Sequence, residues 1–217
     1  MMSKIVPKNL FNINVLRPTT PYNLDVDYNN ISFNLKNYLK SRLNYYEDTS
    51  SKNLIIESEF SEYWFKIASN GVRINGNKGM DIITKNNIAI DLSCLCMNGE
   101  FTNVKSIISY YDIDSNSKFT KLKLYKKIDN FCKEYDINNL YYCVLISDNK
   151  NVYLSTFKFN KDNINNINFI KKSNNLINVE NFIDPKYGHV RLNLRQRRLE
   201  LRLHKDIIHK FNSIKLF

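Results

Sequence analysis

The chain has 217 residues, of which 43% are hydrophobic and 13% aromatic, so it is long enough for one large domain and too apolar to be disordered throughout. Its formal net charge of +11 favours a polyanionic partner such as nucleic acid, with a merely soluble basic protein as the alternative. No apolar run approaches the roughly 18 residues of a membrane span and no signal peptide is visible, so we expect a cytoplasmic protein.

The four cysteines indicate free thiols. Cys94, Cys96, Cys132 and Cys143 belong to a chain that is not small, and disulfides are rare in such chains in a reducing compartment. Cys94 and Cys96 are two positions apart without a second pair at metal-ligand spacing, which argues against a zinc site. We expect all four to be small buried or half-buried apolar side chains.

The first part of the chain is expected to be an irregular arm followed by a helix. Residues 1–28 contain three of the four prolines and no sustained hydrophobic period. A helix is predicted over 30–46, because Ile31, Leu35 and Leu39 recur on one helical face.

A second helix is predicted over 57–69, and the Asn70-Gly71 pair that follows is typical of a C-terminal cap. Its apolar residues recur at i, i+3, i+4, i+7 and i+8, which indicates a stripe buried against the core. The residues of this stripe are Phe60, Tyr63, Trp64, Ile67 and Ala68. Glu59 and Glu62 lie on another face of the same helix.

Turns and short strands are predicted next. The sequence NGNKG at 75–79 indicates a turn, 81–83 a short strand and 88–96 a buried strand. The segment 101–111 fits either a strand or a short helix, and its pattern does not decide between them.

A third helix and two further strands complete the predicted core. Apolar residues recur at helical spacing over 118–136, at Leu122, Tyr125, Ile128, Cys132 and Tyr135. The run 140–146 is almost continuously apolar, as in a strand covered on both faces, and 152–159 alternates as another strand. This order predicts an α/β fold with a central mixed β-sheet flanked by helices.

Two aspartates are the main candidates for chemistry. Asp81 opens one predicted strand and Asp91 lies ten residues later in the next, so a hairpin between them brings both carboxylates to one edge of the sheet. Mg²⁺ typically takes one or two carboxylates together with phosphate oxygens and waters. Asp91 also stands in an apolar strand, where a charged group needs a partner such as a metal. A solvent-facing position or backbone hydrogen bonds would satisfy Asp91 equally well.

Residues 57–105 resemble the PD-(D/E)XK nucleases, and type II restriction endonucleases in particular. The family pattern is a helix bearing a Glu, an Asp after a Gly- or Pro-containing turn, and a hairpin that ends in an acid, any residue and a Lys. The resemblance implies a restriction-endonuclease-like αβββαβ core over about 55–147. It further implies that Asp81 and Asp91 are the two strand acids and bind the metal. The helix acid would be Glu59 or Glu62, with Glu59 preferred.

The chain departs from this pattern at two positions. Met80 stands where the family often has Pro, and Ser93 takes the place of the Lys that is thought to position or activate the attacking water. Lys105 is the candidate substitute, ahead of Lys78 and Lys85, although an ordinary surface lysine is the alternative reading for it. If nothing replaces the missing Lys, the domain would be a catalytically inactive DNA-binding protein.

The C-terminal segment is strongly basic. Residues 185–217 contain nine Lys or Arg against two acids, a net charge of +7, whereas the other 184 residues carry +4. The arginines recur at helical spacing while the leucines alternate as in strands, so both interpretations stay open. Either element can present arginines to phosphates or guanine edges. The candidate nucleic-acid-binding residues are Arg191, Arg195, Arg197, Arg198 and Arg202.

The sequence therefore predicts an arm and helix (1–54), a nuclease-like core (55–160) and a basic DNA-binding segment (161–217) packed on the same domain. The expected activity is Mg²⁺-dependent hydrolysis of double-stranded DNA, with Mn²⁺ as a possible substitute and a homodimer as the state that suits a palindromic target. An inactive nucleic-acid-binding protein and a structural or host-interaction protein of a virus or mobile element are the alternatives.

Overall fold

The computed structural model of the chain describes residues 15–48, 56–74, 80–109, 121–148, 151–171, 173, 175–209 and 213–216. The predicted turn at 75–79 lies outside the described residues, as do the parts of the predicted segments 1–28, 101–111 and 118–136 that extend beyond these ranges. In the ranges given, no helix combines the length and the apolar character that crossing a membrane requires.

The described ranges contain three longer α-helices and one single-turn helix. They are α1 (Tyr28–Asp48), α2 (Ser58–Ala68), α3 (Lys121–Glu134) and α4 (Asp206–His209). Short 3-10 helices cover Pro21–Leu24 and Lys161–Asn166. The three helices predicted from hydrophobic periodicity are confirmed.

The strands belong to two sheets. In chain order they are β1 (Pro18–Thr19), β2 (Val72–Arg73), β3 (Ile82–Ile83), β4 (Ile88–Asn98), β5 (Phe101–Thr102), β6 (Lys105–Ser109), β7 (Asn139–Ser147), β8 (Val152–Phe159), β9 (Asn168–Lys171), β10 (Leu176–Glu180), β11 (Gly188–Asn193), β12 (Arg198–Leu203) and β13 (Ser213–Lys215). The undecided segment 101–111 thus contains the strands β5 and β6 and no helix in its described part. The strand β2 was not predicted.

The first sheet is mixed. Its strands lie in the order β1-β8-β7-β4-β3-β2, with β13 beside β8 and β5 beside β4. The pair β4 and β7 is parallel, whereas the other pairs are antiparallel. A parallel pair needs a crossover connection, and α3 lies within the one that joins β4 to β7. The predicted α/β architecture with a mixed sheet is confirmed at this level.

The two faces of the first sheet are covered differently, as the alternation along β4 shows. Ile88, Ile90 and Leu92 point into a cluster with residues of α1 and α2. Ala89 and Leu95 point into a second cluster that contains residues of α3 and of the second sheet. Because side chains alternate along a strand, the odd-numbered residues of β4 face α3 and the second sheet.

The second sheet is antiparallel, with its strands in the order β6-β12-β11-β10-β9. Its inner face packs on the first sheet through buried aliphatic residues, which include Val179, Val190, Leu192, Leu199, Leu201 and Leu203. The side chains that alternate with these form an outer face, turned away from the first sheet.

Two predicted burial patterns are wrong in part. On α2, Phe60, Tyr63 and Ile67 are 42%, 56% and 45% exposed, because the helix turns Ser61, Trp64 and Phe65 toward the sheet instead. On α3, Leu122 is 60% exposed while Leu124, Ile128 and Phe131 are buried. On α2 the predicted stripe lies about one residue away from its true position. On α3 only Leu122 is misplaced, because Tyr125, Ile128, Cys132 and Tyr135 do pack on the core.

The domain boundaries predicted at 54 and 160 do not separate independent sheets. The strand β1 from the predicted arm and β13 from the predicted C-terminal segment both pair with β8. The first sheet therefore draws on nearly the whole described length of the chain.

Candidate active site

A tight hairpin places Asp81 opposite Asp91. The turn between β3 and β4 is held by Thr84, whose backbone nitrogen donates to the carbonyl oxygen of Ile88 over 2.9 Å. This fixes Ile82 opposite Ile90, and one step further along the same register Asp81 faces Asp91. Paired residues of adjacent strands point to the same face, so both carboxylates lie on the face that is turned toward α3 and the second sheet. The predicted meeting of the two acids is therefore present in the fold.

Asp81 is half-buried among groups that mostly disfavour its charge. The pKa of Asp81 is raised to about 6; burial is the largest cause, and the nearby carboxylate of Glu62 acts in the same direction. A backbone hydrogen bond from Leu92 to Asp81 Oδ2 over 2.7 Å, a hydrogen bond with Asp91 and the charge of Arg73 act in the opposite direction. Taken together, the groups around Asp81 supply too little positive charge to offset the effect of burial on its ionised form.

The helix acid beside this pair is Glu62 rather than the preferred Glu59. Glu62 is 14% exposed and its Oε2 lies 2.5 Å from Nη2 of Arg73 on β2, whereas Glu59 is exposed. The chain can place Arg73 here because it turns sharply after α2, where Asn70 has a φ of 48°. A Cβ on Gly71 would lie 2.6 Å from the Ile83 carbonyl oxygen, so only glycine allows β2 to start this close to β3.

A buried tyrosine lies next to Asp91. Tyr142 on β7 lies directly beside Asp91 in the parallel register. Both residues line a small cavity of ≈ 20 Å³, together with Leu16, Met80, Tyr141, Phe159 and Phe182. The Tyr142 hydroxyl is fully buried and has no hydrogen-bond partner of acceptable geometry among the described residues.

Ser93 lies two residues beyond Asp91 on the same face of β4 and is only 2% exposed. It is close enough to the Tyr142 hydroxyl to influence its pKa, which burial, as the largest cause, raises well above the ordinary value. A lysine at position 93 would therefore be enclosed by Tyr142, which gives a physical reason for the small residue there. Lys105, the suggested substitute, starts β6 and pairs with Leu201 in the second sheet, and its side chain lies outside the described residues.

The acid pair fits a divalent cation that completes its coordination with substrate. Within the described ranges, no group of three or more His, Cys, Asp or Glu side chains is arranged to hold a metal ion. Two carboxylates are nevertheless within the usual protein contribution to a Mg²⁺ site, because phosphate oxygens and waters supply the remaining ligands. The raised pKa of Asp81 supports this fit, since a bound cation would supply the missing positive charge.

The candidate nucleic-acid-binding arginines lie on strands and in a turn. Arg191 is in β11, Arg198 and Arg202 are in β12, and Arg195 and Arg197 are in the turn between these strands. The helical interpretation of this segment is therefore wrong and the strand interpretation is confirmed. The leucines of β12 face inward, which places the alternating Arg198, Glu200 and Arg202 on the outer face of the second sheet.

A buried glutamate organises the centre of this outer face. Glu200 is 2% exposed and accepts hydrogen bonds from Arg191 Nε over 2.5 Å, Asn193 Nδ2 over 2.9 Å and Arg198 Nε over 3.1 Å. Burial alone would raise the pKa of Glu200, but these hydrogen bonds hold it below its usual value. In the sequence, Glu200 lies two residues from both Arg198 and Arg202 in an alternating segment. This spacing could have indicated that the acid and the arginines share one face of a strand.

The outer face extends from Glu200 toward the Phe101 ring. The guanidinium carbon of Arg202 lies 5.4 Å from the centre of that ring, and Arg202 Nε donates to the Thr102 carbonyl oxygen over 3.0 Å. A cleft of ≈ 690 Å³ runs along β10 and β11, and its lining includes apolar residues, the acid Glu180 and the polar residues Asn178, His189 and Arg191. The face thus carries cationic and hydrogen-bonding groups beside a groove.

Comparisons with protein-family models, with curated proteins and with solved structures find no match to this chain. The case for a function consequently depends on the acid pair and on the basic outer face.

Proposed function

We propose that the chain is a metal-dependent endonuclease that hydrolyses phosphodiester bonds of double-stranded DNA in the cytoplasm, with the site specificity of a type II restriction enzyme. The observation that carries the proposal is the pair of Asp81 and Asp91, which lie opposite each other, half-buried beside Glu62, where burial raises the pKa of Asp81.

The order of elements around the pair supports the resemblance to PD-(D/E)XK nucleases. The elements α2, β2, β3, β4, α3 and β7 follow one another as helix, three strands, helix and strand, with the small strands β5 and β6 inserted before α3. Asp91 in β4 and Asp81 immediately before β3 lie opposite each other, which is compatible with the roles that the resemblance implies. The three strands of this comparison are β2, β3 and β4. The strand β2 was not predicted from the sequence, and the segment 101–111 is not one of the three.

The residues of the chain have separable tasks in this proposal. Asp81 and Asp91 would hold Mg²⁺, or Mn²⁺ in its place, which when bound lowers the pKa of a coordinated water and stabilises charge on the phosphate. Asp81 is kept in place by the hydrogen bond from the Leu92 backbone nitrogen. Glu62 is held beside the pair by its ion pair with Arg73.

The turn between β11 and β12 and the outer face of the second sheet would contact DNA phosphates away from the scissile bond, because this face is turned away from the first sheet and the acid pair. Arginine side chains there can contact phosphates, and the amide of Asn178 and the ring of His189 lie in the adjoining cleft. A palindromic target would be matched by a two-fold homodimer, whose mass sedimentation analysis measures directly.

A catalytically inactive DNA-binding protein on the same fold is the second candidate. The observation that favours it is Ser93, which takes the place of the family's Lys and is almost completely buried. Such a protein would retain salt-sensitive DNA binding and show no cleavage with any divalent ion.

The test is incubation of the pure protein with supercoiled and linear DNA in Mg²⁺ or Mn²⁺, followed by sequencing of the cut ends. We expect discrete cleavage by the wild type, and a loss of at least about 1,000-fold in Asp81→Asn and Asp91→Asn with DNA binding retained or tighter. Asp162→Asn, at an exposed acid far along the chain, is the matched control. Cleavage by either acid variant at the wild-type rate would show that the metal site is misplaced.

A further inference from the structure

The Tyr142 hydroxyl is one of several buried side-chain oxygens whose hydrogen bonding is incomplete. It lies fully buried on β7 and interacts with the Ser93 hydroxyl, but no partner among the described residues meets hydrogen-bond geometry. An unpaired buried hydroxyl destabilises a fold, so such groups call for an explanation, which is often a functional one. Tyr142 faces the same cavity as Asp91 and is paired with it in the sheet.

We propose that Tyr142 is a positioning residue, whose hydroxyl donates a hydrogen bond to the Asp91 carboxylate when that carboxylate binds a divalent cation. This inference depends on the proposed metal site. A carboxylate that binds a metal through one oxygen retains acceptor capacity, and a donor on that side fixes its orientation. The parallel register brings Tyr142 to this side of Asp91 from the neighbouring strand.

Ser93 explains why a tyrosine can take this role in this chain. A side chain two residues beyond Asp91 points to the same face of the sheet, and Ser93 is 2% exposed there. Its small size leaves space for the tyrosine hydroxyl, whereas the Lys of the family pattern would compete for the same volume. The small residue at position 93 is thus what allows the Tyr142 hydroxyl to approach Asp91.

The experiment measures Mn²⁺ binding by calorimetry for the full-length wild type and for three variants. Tyr142→Phe removes only the hydroxyl and keeps the ring packed. Tyr141→Phe makes the same change on the opposite face of the same strand, in the cluster that contains α1 and α2. Ser93→Ala removes the neighbouring hydroxyl. Thermal unfolding in EDTA monitors the fold of each variant.

We expect Tyr142→Phe to weaken Mn²⁺ binding on the order of 10-fold, as is typical when a group that orients a metal ligand is lost. Binding by Tyr141→Phe and Ser93→Ala should stay within about twofold of the wild type. The unfolding temperature of Tyr142→Phe should be unchanged or higher, because an unpaired hydroxyl has been removed. With DNA as substrate, kcat should fall by a similar factor while KM does not change.

Unchanged Mn²⁺ affinity in Tyr142→Phe, in a protein whose wild type binds Mn²⁺, would overturn this inference and leave the proposed nuclease in place. A loss of affinity in Ser93→Ala without one in Tyr142→Phe would overturn it as well, since the role would then belong to the serine. A wild type that binds no Mn²⁺, either alone or with DNA, would overturn the proposed metal site and this inference with it.

Discussion

Each of the two sheets contains a carboxylate with little exposure to solvent, and the two are in opposite electrostatic situations. Asp81 in the first sheet has acids as neighbours, and its pKa is raised to about 6, chiefly by burial. Glu200 in the second sheet is 2% exposed, yet its pKa is lowered because two arginines and an asparagine donate to it. Burial acts in the same direction on both groups, so their partners make the difference.

This contrast distinguishes a complete site from an incomplete one. The charge of Glu200 is compensated within the chain by Arg191 and Arg198, so the group needs nothing from outside. Asp81 has Asp91 and Glu62 as acidic neighbours and Arg73 as a basic one, so the acids outnumber the base and a cation from outside would relieve the excess negative charge. Replacing each buried carboxylate by its amide should therefore change the free energy of unfolding in opposite directions.

Asp81→Asn should stabilise the protein at pH 8 in EDTA, by up to about 3 kcal/mol for a pKa raised from 3.8 to about 6. A carboxyl with a raised pKa contributes stability that is present below its ordinary value and is lost as the pH rises through about 6. Urea denaturation should thus show a gap between variant and wild type that opens between pH 4 and pH 7.

Saturating Mn²⁺ should reduce this gap, because it stabilises the wild type alone. A variant that is less stable than the wild type at pH 8 would show that the charge of Asp81 is already compensated, and would remove the distinction between the two sheets.

Glu200→Gln should change the free energy of unfolding in the opposite direction and destabilise the protein by about 2 kcal/mol at pH 7. Removing one partner of a buried ion pair costs about 3–5 kcal/mol, and the value is smaller here because Arg191 and Arg198 are 38% and 32% exposed. The lowered pKa means that the contribution of Glu200 is present above pH 4.5 and is lost as the pH falls further.

Urea denaturation checks this second prediction, with Glu180→Gln as the matched control, since Glu180 is an exposed acid of the same sheet. The control should stay within about 0.5 kcal/mol of the wild type. Equal stability of Glu200→Gln and the wild type at pH 7 would mean that the arginine cluster contributes nothing to the fold.

The two regions also differ in how far the sequence predicted them. The meeting of Asp81 and Asp91 depends on a hairpin, a local feature with strong turn signals, and was predicted correctly. The choice between Glu59 and Glu62 depends on how α2 is rotated on the sheet. That rotation is set by the packing of Trp64 and Phe65, which the periodicity of apolar residues alone misplaced.

The pairing of strands that are distant in the chain could not be predicted from the sequence, for a different reason. The approach of Tyr142 to Asp91 needs β7 to lie parallel to β4 in one register, and residues 51 positions apart carry no local sign of that. Alternating leucines favoured strands at the C-terminus, but the helical spacing of the arginines kept a helix equally plausible until tertiary packing decided between them.

Glu62→Gln should lower the cleavage rate about 10-fold at pH 8, the lower end of typical losses for outer-shell partners of a metal site. Glu59→Gln, three residues earlier on the same helix, should stay within twofold because Glu59 is exposed. Rates on a fixed DNA substrate at several Mg²⁺ concentrations check both, and high Mg²⁺ should partly restore Glu62→Gln. Equal losses of cleavage rate in the two variants would show that the orientation of α2 does not matter for cleavage.

The smallest effects are expected at the edge of the basic face. Arg195 and Arg197 in the turn make no side-chain hydrogen bond or ion pair within the part of the chain that the structure describes, in contrast to Arg191 and Arg198, which bind Glu200. A phosphate contact made by either turn arginine would therefore add charge compensation without breaking an existing pair. The turn arginines should contribute more to non-specific DNA affinity than to stability.

The Arg195→Ala/Arg197→Ala double variant should unfold like the wild type and bind all DNA sequences more weakly, with a salt slope reduced by roughly one per lost phosphate contact. The Arg191→Ala/Arg198→Ala variant should instead lose stability, because Glu200 is left buried without its partners, and should change the slope less. Filter binding between 50 and 200 mM salt separates them. If the sheet pair changed the slope more than the turn pair, Glu200 would be holding its arginines toward DNA rather than neutralising them, and the second sheet would be an incomplete site like the first.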